Sequence, residues 1–208
     1  QGKRKLSEIV NATGISQPVA NKYLGVLGDL KIVERELPVT EEKPLKSKKG
    51  LYRITDEFFH FWFKFVFPRR GELEMGRVEG VLASINKALP QHLSSVYEKA
   101  AMETLWRNMD RFFPFSAVGR WWDRNEEIDV VAVNRDLDSI VLGEVKWSEK
   151  PVGIDIYEAL RQKASQVVWG TKERRELFCL FSKKGFTDAM IRRASEEGVV
   201  LYKEETEI

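Results

Sequence analysis

Cysteine, histidine and long apolar runs are scarce in this chain of 208 residues. It has one cysteine, Cys179, and two histidines, too few for a disulfide framework or a tetrahedral Cys/His zinc site. The lone cysteine favours a reducing, cytoplasmic location. No apolar run approaches the ~20 residues that span a bilayer, so we expect no membrane partner. The sequence also lacks a Gly-x-x-x-x-Gly-Lys-Ser/Thr motif, and we expect no ATP binding by this chain.

The composition supports one or two hydrophobic cores. Hydrophobic residues make up 43% of the chain and aromatic residues 11%, enough for packed domains. Charged residues make up 32%, a content that resembles proteins of thermophiles. Because the first residue is Gln1 and not Met, we expect a fragment of a longer polypeptide. We predict three segments: residues 1–57, a bridging segment over 58–90, and a domain over 91–208.

The first 57 residues have the pattern of two helices followed by two strands. Leu6–Gly14 predicts a short helix ended by glycine, and Ser16 is the expected N-cap of a second helix that runs to Leu30. Residues 32–39 and 50–55 have strand-like composition and flank a lysine-rich loop. This order predicts a helix-turn-helix with a wing.

The stretch Ala12–Leu24 resembles the recognition helices of winged-helix repressors, which implies a DNA-binding fold. Residues 1–57 contain 11 Lys and Arg against 8 Asp and Glu, whereas the remainder contains 23 against 24. Positive charge is therefore concentrated where phosphate binding would favour it. Winged helices also dock proteins, and a lysine loop can be a solvated tip, so protein docking is the alternative. The candidate DNA contacts are Gln17, Asn21, Lys22, Lys43, Lys46, Lys48 and Lys49.

Aromatic residues are concentrated in Phe58–Pro68. The run is too short to span a membrane and contains His60 and Lys64. We predict a helix that is buried between two domains and ends at Pro68, because proline interrupts helical hydrogen bonding.

Three charged residues interrupt two strand-like runs that are otherwise apolar. Asp129 lies within Glu126–Val133, and Glu144 and Lys146 lie within Ile140–Trp147. The short polar segment between the runs predicts a turn that joins neighbouring strands. Glu144 and Lys146 should share one face, because side chains two residues apart do so in a strand. Buried charges of this kind are expected to be paired, solvated or bound to a cation.

This set of side chains matches the requirements of magnesium-dependent phosphodiester cleavage. Asp129, Glu144 and the carbonyl of Val145 would supply the oxygen ligands that Mg²⁺ prefers. The metal would polarise a phosphate and make hydroxide available near neutral pH. Lys146 would orient the attacking water or neutralise developing charge.

Asp129 followed by Glu144-Val145-Lys146, with apolar strands around them, resembles the PD-(D/E)XK nuclease superfamily. Ile128 replaces the proline of the superfamily name, a common replacement. The resemblance implies a restriction-endonuclease-like domain of α/β (α+β) class with catalytic Asp129, Glu144 and Lys146. It further implies a glutamate on the helix before the sheet, a position that Glu98 matches.

The later elements follow the order expected of that superfamily. Ile154–Trp169 predicts a helix that presents Arg161 or Gln162 to the site, and Leu177–Phe181 and Thr187–Glu197 predict a strand and a final helix. The alternative is a salt-bridged pair at a sheet edge, since short D…E-x-K patterns also arise by chance.

Two further stretches, Thr55–Pro68 and Phe181–Thr187, resemble the C-terminal region of the archaeal AAA-type ATPase family. That resemblance implies an upstream P-loop ATPase module in the same polypeptide, to which ATP hydrolysis would belong. Three functions remain open for the chain: a DNA-binding nuclease, a catalytically silent nuclease fold, and a docking module for proteins. A homodimer also remains open, since nucleases that cut both strands often pair two sites.

Overall fold

The computed structural model describes residues 2–124 and 126–208, and the chain divides into two compact units. The first unit comprises the chain up to Leu37 together with Lys43–His92. The second comprises Pro38–Glu42 and Leu93–Ile208. Within residues 2–124 and 126–208, no helix is long and apolar enough to cross a membrane.

The first unit is mostly helical and contains one two-stranded antiparallel sheet. Gly14, with φ of 70°, ends the first helix as predicted, and its backbone N–H donates to the carbonyl of Val10. Pro18 stands in the first turn of the second helix, where a missing N–H is tolerated. The elements are α1 (Leu6–Thr13), α2 (Gln17–Asp29), β1 (Val33–Glu36), β2 (Leu51–Ile54), α3 (Glu57–Phe61) and α4 (Arg70–Glu74).

The prediction of two helices followed by two strands is therefore confirmed. The assignment of these elements to a winged helix-turn-helix remains a prediction. The chain between β1 and β2 is not only a free loop, because Pro38–Glu42 belongs to the second unit. The Val39 N–H donates to the carbonyl of Arg120, and Arg135 pairs with Glu42.

The aromatic segment differs from the prediction of one buried helix ended by Pro68. A π-helical turn, Trp62–Val66, follows α3, and a 3-10 turn, Phe67–Arg69, leads into α4. Pro68 falls in the 3-10 turn, whose first residues need no intrahelical N–H bond, so helical structure continues beyond it. Only one face of the segment is buried, and Phe65 lies on that face.

The second unit is built on a six-stranded mixed sheet. Helix α5 (Val78–Arg107) contains the division between the units and precedes the sheet. The strand order is β3-β4-β5-β6-β7-β8, with parallel pairing only at β5·β6 and β6·β7. The remaining elements are β3 (Ala117–Asp123), β4 (Glu126–Asn134), β5 (Ser139–Lys146), α6 (Ile154–Ala164), β6 (Arg175–Ser182), α7 (Asp188–Glu197), β7 (Val200–Lys203) and β8 (Thr206–Glu207).

Side chains of alternating strand residues build a hydrophobic cluster on each face of this sheet. One cluster joins Val131, Ile140 and Leu142 to Leu160 of α6 and Met190 of α7. The other contains strand residues of opposite parity, Val130, Val141 and Val145, with Ala101 and Leu105 of α5. Helices therefore cover both faces of the sheet, and the mixed α/β class is confirmed.

Strand β5 is the most deeply buried strand, because it lies between β4 and β6 and has a core on each face. Seven consecutive residues, Ser139 to Val145, are buried. Gly143 lies where a larger residue does not fit: a Cβ added there would stand 2.7 Å from Sγ of Cys179 and 3.4 Å from the carbonyl oxygen of Val130. Close approach of three strands at this level requires glycine.

Replacing Gly143 with alanine is expected to lower the free energy of unfolding by about 1–3 kcal/mol, because the added methyl overlaps Sγ of Cys179. Denaturant unfolding would measure the loss. Adding Cys179→Ala to the same chain removes the nearest obstructing atom, so the double variant should lose less than the sum of the two single variants. Strict additivity would contradict the overlap.

Candidate active site at the ends of strands β4 and β5

Two carboxylates lie close together on neighbouring antiparallel strands. The paired register of β4 and β5 ends at Val130 and Gly143, and Asp129 and Glu144 are the next residues of the two strands. The charge of Glu144 acts on Asp129, and the charge of Asp129 acts on Lys146. Asp129 is 8% exposed and Glu144 6%. The structure therefore brings two of the predicted catalytic residues together in a largely buried position.

A β-bulge sets the direction of Asp129. Between the pairs Gly119–Val131 and Trp121–Ile128, β3 advances two residues while β4 advances three. The additional residue of β4 lies at Asp129–Val130, opposite Arg120. Bulges of this kind redirect a side chain and are frequent beside active sites. As a result Ile128 and Val131 pack in the same hydrophobic cluster although they are three residues apart.

The carboxyl group of Asp129 is held by the neighbouring backbone. Its Oδ2 accepts a hydrogen bond of 2.9 Å from the N–H of Val145. Burial raises the pKa of Asp129 to about 7, and the charges of Glu144 and Glu98 add to the rise. The Val145 hydrogen bond and the charge of Lys146 oppose it. Asp129 therefore titrates close to neutral pH, in contrast to an exposed aspartate.

Glu144 is bound by two lysines from different elements. Nζ of Lys146 lies 2.7 Å from Oε1 of Glu144, along the same strand. Nζ of Lys163 on α6 lies 3.0 Å from Oε2 and 3.2 Å from Oε1. Glu144 is thus a charged group with its compensation in place, as a buried carboxylate requires.

Lys146 is the more accessible of the two lysines and is held in its charged form. Partial burial alone would lower its pKa, but the hydrogen bond to Glu144 and the charges of Glu144, Asp129 and Glu98 together raise the pKa of Lys146. An ammonium group that stays charged and reaches solvent can contact an anionic ligand.

Lys163 is the site residue that sequence reasoning missed. The predicted helix presented Arg161 or Gln162, but Nη1 of Arg161 instead lies 3.7 Å from Glu197, and Gln162 is exposed. The helical period of the sequence could have indicated Lys163. Leu160 and Ala164 face the sheet, and Lys163, three residues after Leu160, lies at the edge of that same face.

Glu98 lies on α5, within electrostatic reach of Asp129 and Lys146. Its Oε2 is 3.7 Å from Nε of Arg120, which also pairs with Glu127 at 2.9 Å. The structure therefore sets Glu98 beside an arginine near the site, while Asp129 and Glu144 form its centre.

The donor set has the chemistry of a magnesium ligand set. Across residues 2–124 and 126–208, no cluster of three or more His, Cys, Asp or Glu side chains is placed to hold a metal ion. Two carboxylates suffice for Mg²⁺, which commonly keeps several waters and takes further oxygen atoms from phosphates. A cation between Asp129 and Glu144 would also offset the burial that raises the pKa of Asp129.

The candidate DNA contacts lie in the first unit. Gln17, Asn21 and Lys22 lie on α2 and are exposed, and the four lysines of the loop between β1 and β2 are exposed as well. Arg35 organises this loop, since its guanidinium donates to the carbonyls of Pro44 and Ser47 at 3.1 and 2.6 Å.

Stability should respond to pH through Asp129. Its pKa in the native state, about 7, exceeds the ordinary value of 3.8, so its contribution is fully present below pH 3.8 and is lost as pH rises through 7. We expect Asp129→Asn, which keeps an acceptor for Val145, to remove a decline of about 2–4 kcal/mol over this range. Metal-free denaturant unfolding at several pH values would test it. Identical pH profiles for the two proteins would exclude the titration of Asp129.

Comparison with solved structures gives a weak match. The crystal structure of a repair endonuclease from Pyrococcus abyssi has a TM-score of 0.34 and 14% sequence identity, and covers 51% of this chain and 46% of that one. A TM-score at this level does not establish a shared fold.

Sequence comparison gives a clearer relation. The uncharacterized protein MJECL04 of Methanocaldococcus jannaschii is 35% identical over 190 residues, which is 88% of this chain and 42% of that protein. The chain thus spans less than half the length of this relative. A family model described as "Archaea bacterial proteins of unknown function" matches residues 62–166, a stretch that contains Asp129, Glu144, Lys146 and Lys163. Because that match spans half of the chain, the protein belongs to this family, DUF234.

Proposed function

We propose that the second unit is a magnesium-dependent nuclease domain of the PD-(D/E)XK type. The observation that carries the proposal is the convergence of Asp129, Glu144, Lys146 and Lys163 where the pairing of β4 with β5 ends. Two carboxylates and two ammonium groups at one partly accessible place are the components of phosphodiester cleavage. The superfamily resemblance of the sequence is additional support.

In the proposed site, Asp129 and Glu144 hold the metal and each is fixed by the protein. The Val145 N–H orients Asp129, and Lys163 holds Glu144 from the helix side. Mg²⁺, when bound, would polarise the scissile phosphate and lower the pKa of a water molecule. Two carboxylates balance two ammonium groups, so a bound divalent cation leaves the site positive and suited to a phosphodiester anion.

Lys146 has the direct role toward substrate in this proposal. Its ammonium group is held at 2.7 Å by Glu144 and still reaches solvent. From there it donates a hydrogen bond to a phosphate oxygen and offsets the charge that develops during attack by water. Its raised pKa keeps it protonated for this role.

The proposal includes DNA as the substrate and the first unit as a DNA-binding element. Its support is the exposed polar face of α2 and the exposed lysine loop that Arg35 organises. An upstream ATPase module in the same polypeptide is part of the proposal, and the sequence resemblance is its support. ATP hydrolysis would belong to that module, since this chain has no P-loop sequence.

A catalytically silent site is the second candidate, and one observation favours it. Both oxygens of Glu144 are already in contact with ammonium groups, so the carboxylate is compensated without a metal. In that case the sheet domain would serve as a docking module for DNA or protein. A cation would have to share the oxygens of Glu144 with the two lysines or displace one of them.

Cleavage of single-stranded, duplex and branched DNA with Mg²⁺ tests the first candidate. Glu144→Gln and Lys146→Ala should each lower the rate by about 10²–10³-fold, because Glu144 would no longer bind the metal as a carboxylate and Lys146 would no longer offset the developing charge. Lys150→Ala is the matched control, since Lys150 is an exposed lysine of the segment that follows β5. EDTA should abolish cleavage by the unsubstituted chain.

The two candidates differ in their expected outcomes. Cleavage that persists in both site variants would exclude this site as its source. A folded chain that is inactive on every substrate, and whose pKa of Asp129 does not fall when Mg²⁺ is added, would favour the silent fold. Infrared or NMR titration of the carboxyl group provides that second measurement.

DNA binding by the first unit predicts a salt-dependent affinity. Replacing Lys43, Lys46, Lys48 and Lys49 with alanine should reduce the slope of log K against log salt concentration by about 0.9 for each phosphate that the loop no longer neutralises. Fluorescence anisotropy with duplex DNA at several salt concentrations measures this slope. An affinity independent of salt, or unchanged by the four substitutions, would contradict phosphate binding by the loop.

A further inference from the structure

Three phenylalanines form an exposed row along the aromatic segment of the first unit. The ring centroids of Phe59 and Phe63 are 6.3 Å apart, and those of Phe63 and Phe67 are 5.5 Å apart. Their exposed fractions are 39%, 47% and 50%. An exposed contiguous patch of large apolar side chains commonly marks an interaction site.

The row is separate from the core that the same segment contributes to its unit. Phe61 and Phe65 lie on the other side and pack against His92, with centroid distances of 5.9 and 5.5 Å. Phe65 is buried, and its neighbour Phe61 is partly buried. The segment thus has a second aromatic face that its own core does not use.

Opposite charges flank the row at equal sequence distances from its centre. Asp56 precedes Phe63 by seven residues and Arg70 follows it by seven, and both are exposed. Asp56 caps the start of α3 by accepting from the N–H of Phe59. The guanidinium of Arg70 continues the row, 5.9 Å from the centroid of Phe67, and its Nη2 lies 3.4 Å from Oε1 of Glu74, a pair that is exposed on both sides.

We propose that this face binds a second copy of the same chain, with the two segments antiparallel about a twofold axis at Phe63. In that arrangement Phe59 of one protomer lies beside Phe67 of its partner, and Asp56 beside Arg70, each contact occurring twice. A twofold interface uses one self-complementary patch on both subunits. A partner of unrelated sequence would not need acidic and basic ends placed symmetrically about the central ring.

The expected interface is small. Three half-exposed phenylalanine rings supply roughly 300 Å² per protomer, less than the ~800 Å² of a standard interface. The pairing should therefore depend on concentration and respond strongly to single substitutions. It is independent of the nuclease proposal, since none of its residues belongs to the second unit.

Disulfide cross-linking tests the position of the twofold axis. The native Cys179 is fully buried, so a thiol introduced at the surface is the reactive one. Phe63→Cys should form a covalent dimer on mild oxidation, because residue 63 meets its own copy. Phe58→Cys is the matched control: Phe58 is more exposed, at 65%, yet lies away from the axis and should cross-link poorly. Equal cross-linking at both positions would indicate random collision and overturn the proposal.

Sedimentation equilibrium tests the charge contacts. Arg70→Glu should weaken self-association about tenfold, because two ion pairs become two repulsive pairs. Adding Asp56→Asn, which keeps a capping side chain, should restore most of the affinity by removing the repulsion. Lys64→Glu makes the same charge change off the row and should have little effect. A chain that stays monomeric at high micromolar concentration, or equal effects of Arg70→Glu and Lys64→Glu, would overturn the proposal.

Discussion

Burial of strand β5 on both faces is the constraint on which the rest of the second unit depends. The strand pairs antiparallel with β4 and parallel with β6, and a hydrophobic cluster lies on each side. A glycine at 143 lets the three backbones approach. Glu144 lies near the end of this buried strand and has little access to water, so its charge must be compensated by side chains or by a cation. Lys146 and Lys163 meet that requirement, whereas Asp129 adds a second buried acidic group beside Glu144.

The charged residues of the site come from three different elements. Asp129 comes from a bulged strand, Lys146 from the strand of Glu144 and Lys163 from a helix that packs on the sheet. Burial alone would discharge the acidic groups, and the pKa of Asp129 has moved in that direction. The ammonium groups of the two lysines contact Glu144. Because the pKa of Asp129 is about 7, binding of a charged ligand would change the ionisation of Asp129.

Much of this arrangement could be predicted from the sequence because it depends on local patterns. The hairpin of β4 and β5 follows from two β-branched runs around a polar turn, and its paired register ends at Val130 and Gly143, directly before Asp129 and Glu144. The start of the helix after Gly153 was predictable from apolar spacing, although the helix ends at Ala164 and not at Trp169, and the final helix was predictable from its cap Thr187. In each case the determining interactions lie within one element or between neighbours in sequence.

The remainder depends on contacts that sequence patterns do not encode. The bulge at Asp129–Val130 arises from pairing with β3, and no residue type indicates it. Lys163 was missed because a lysine on a helix is usually solvated, and only the packing of α6 on the sheet turns it toward Glu144. The aromatic segment was predicted to be a helix buried between two domains, whereas its rings lie partly buried, as Phe65 does, and partly exposed, as Phe59, Phe63 and Phe67 do.

The short segment Pro38–Glu42 has a consequence for how the two units can be separated. The chain leaves the first unit after Leu37, pairs with Arg120 through Val39, and returns at Lys43. A truncation that begins after the first unit would remove this segment and leave the β3 backbone and Gly119 without the residue that packs on them. A graft of the second unit onto another protein must therefore carry these five residues with it.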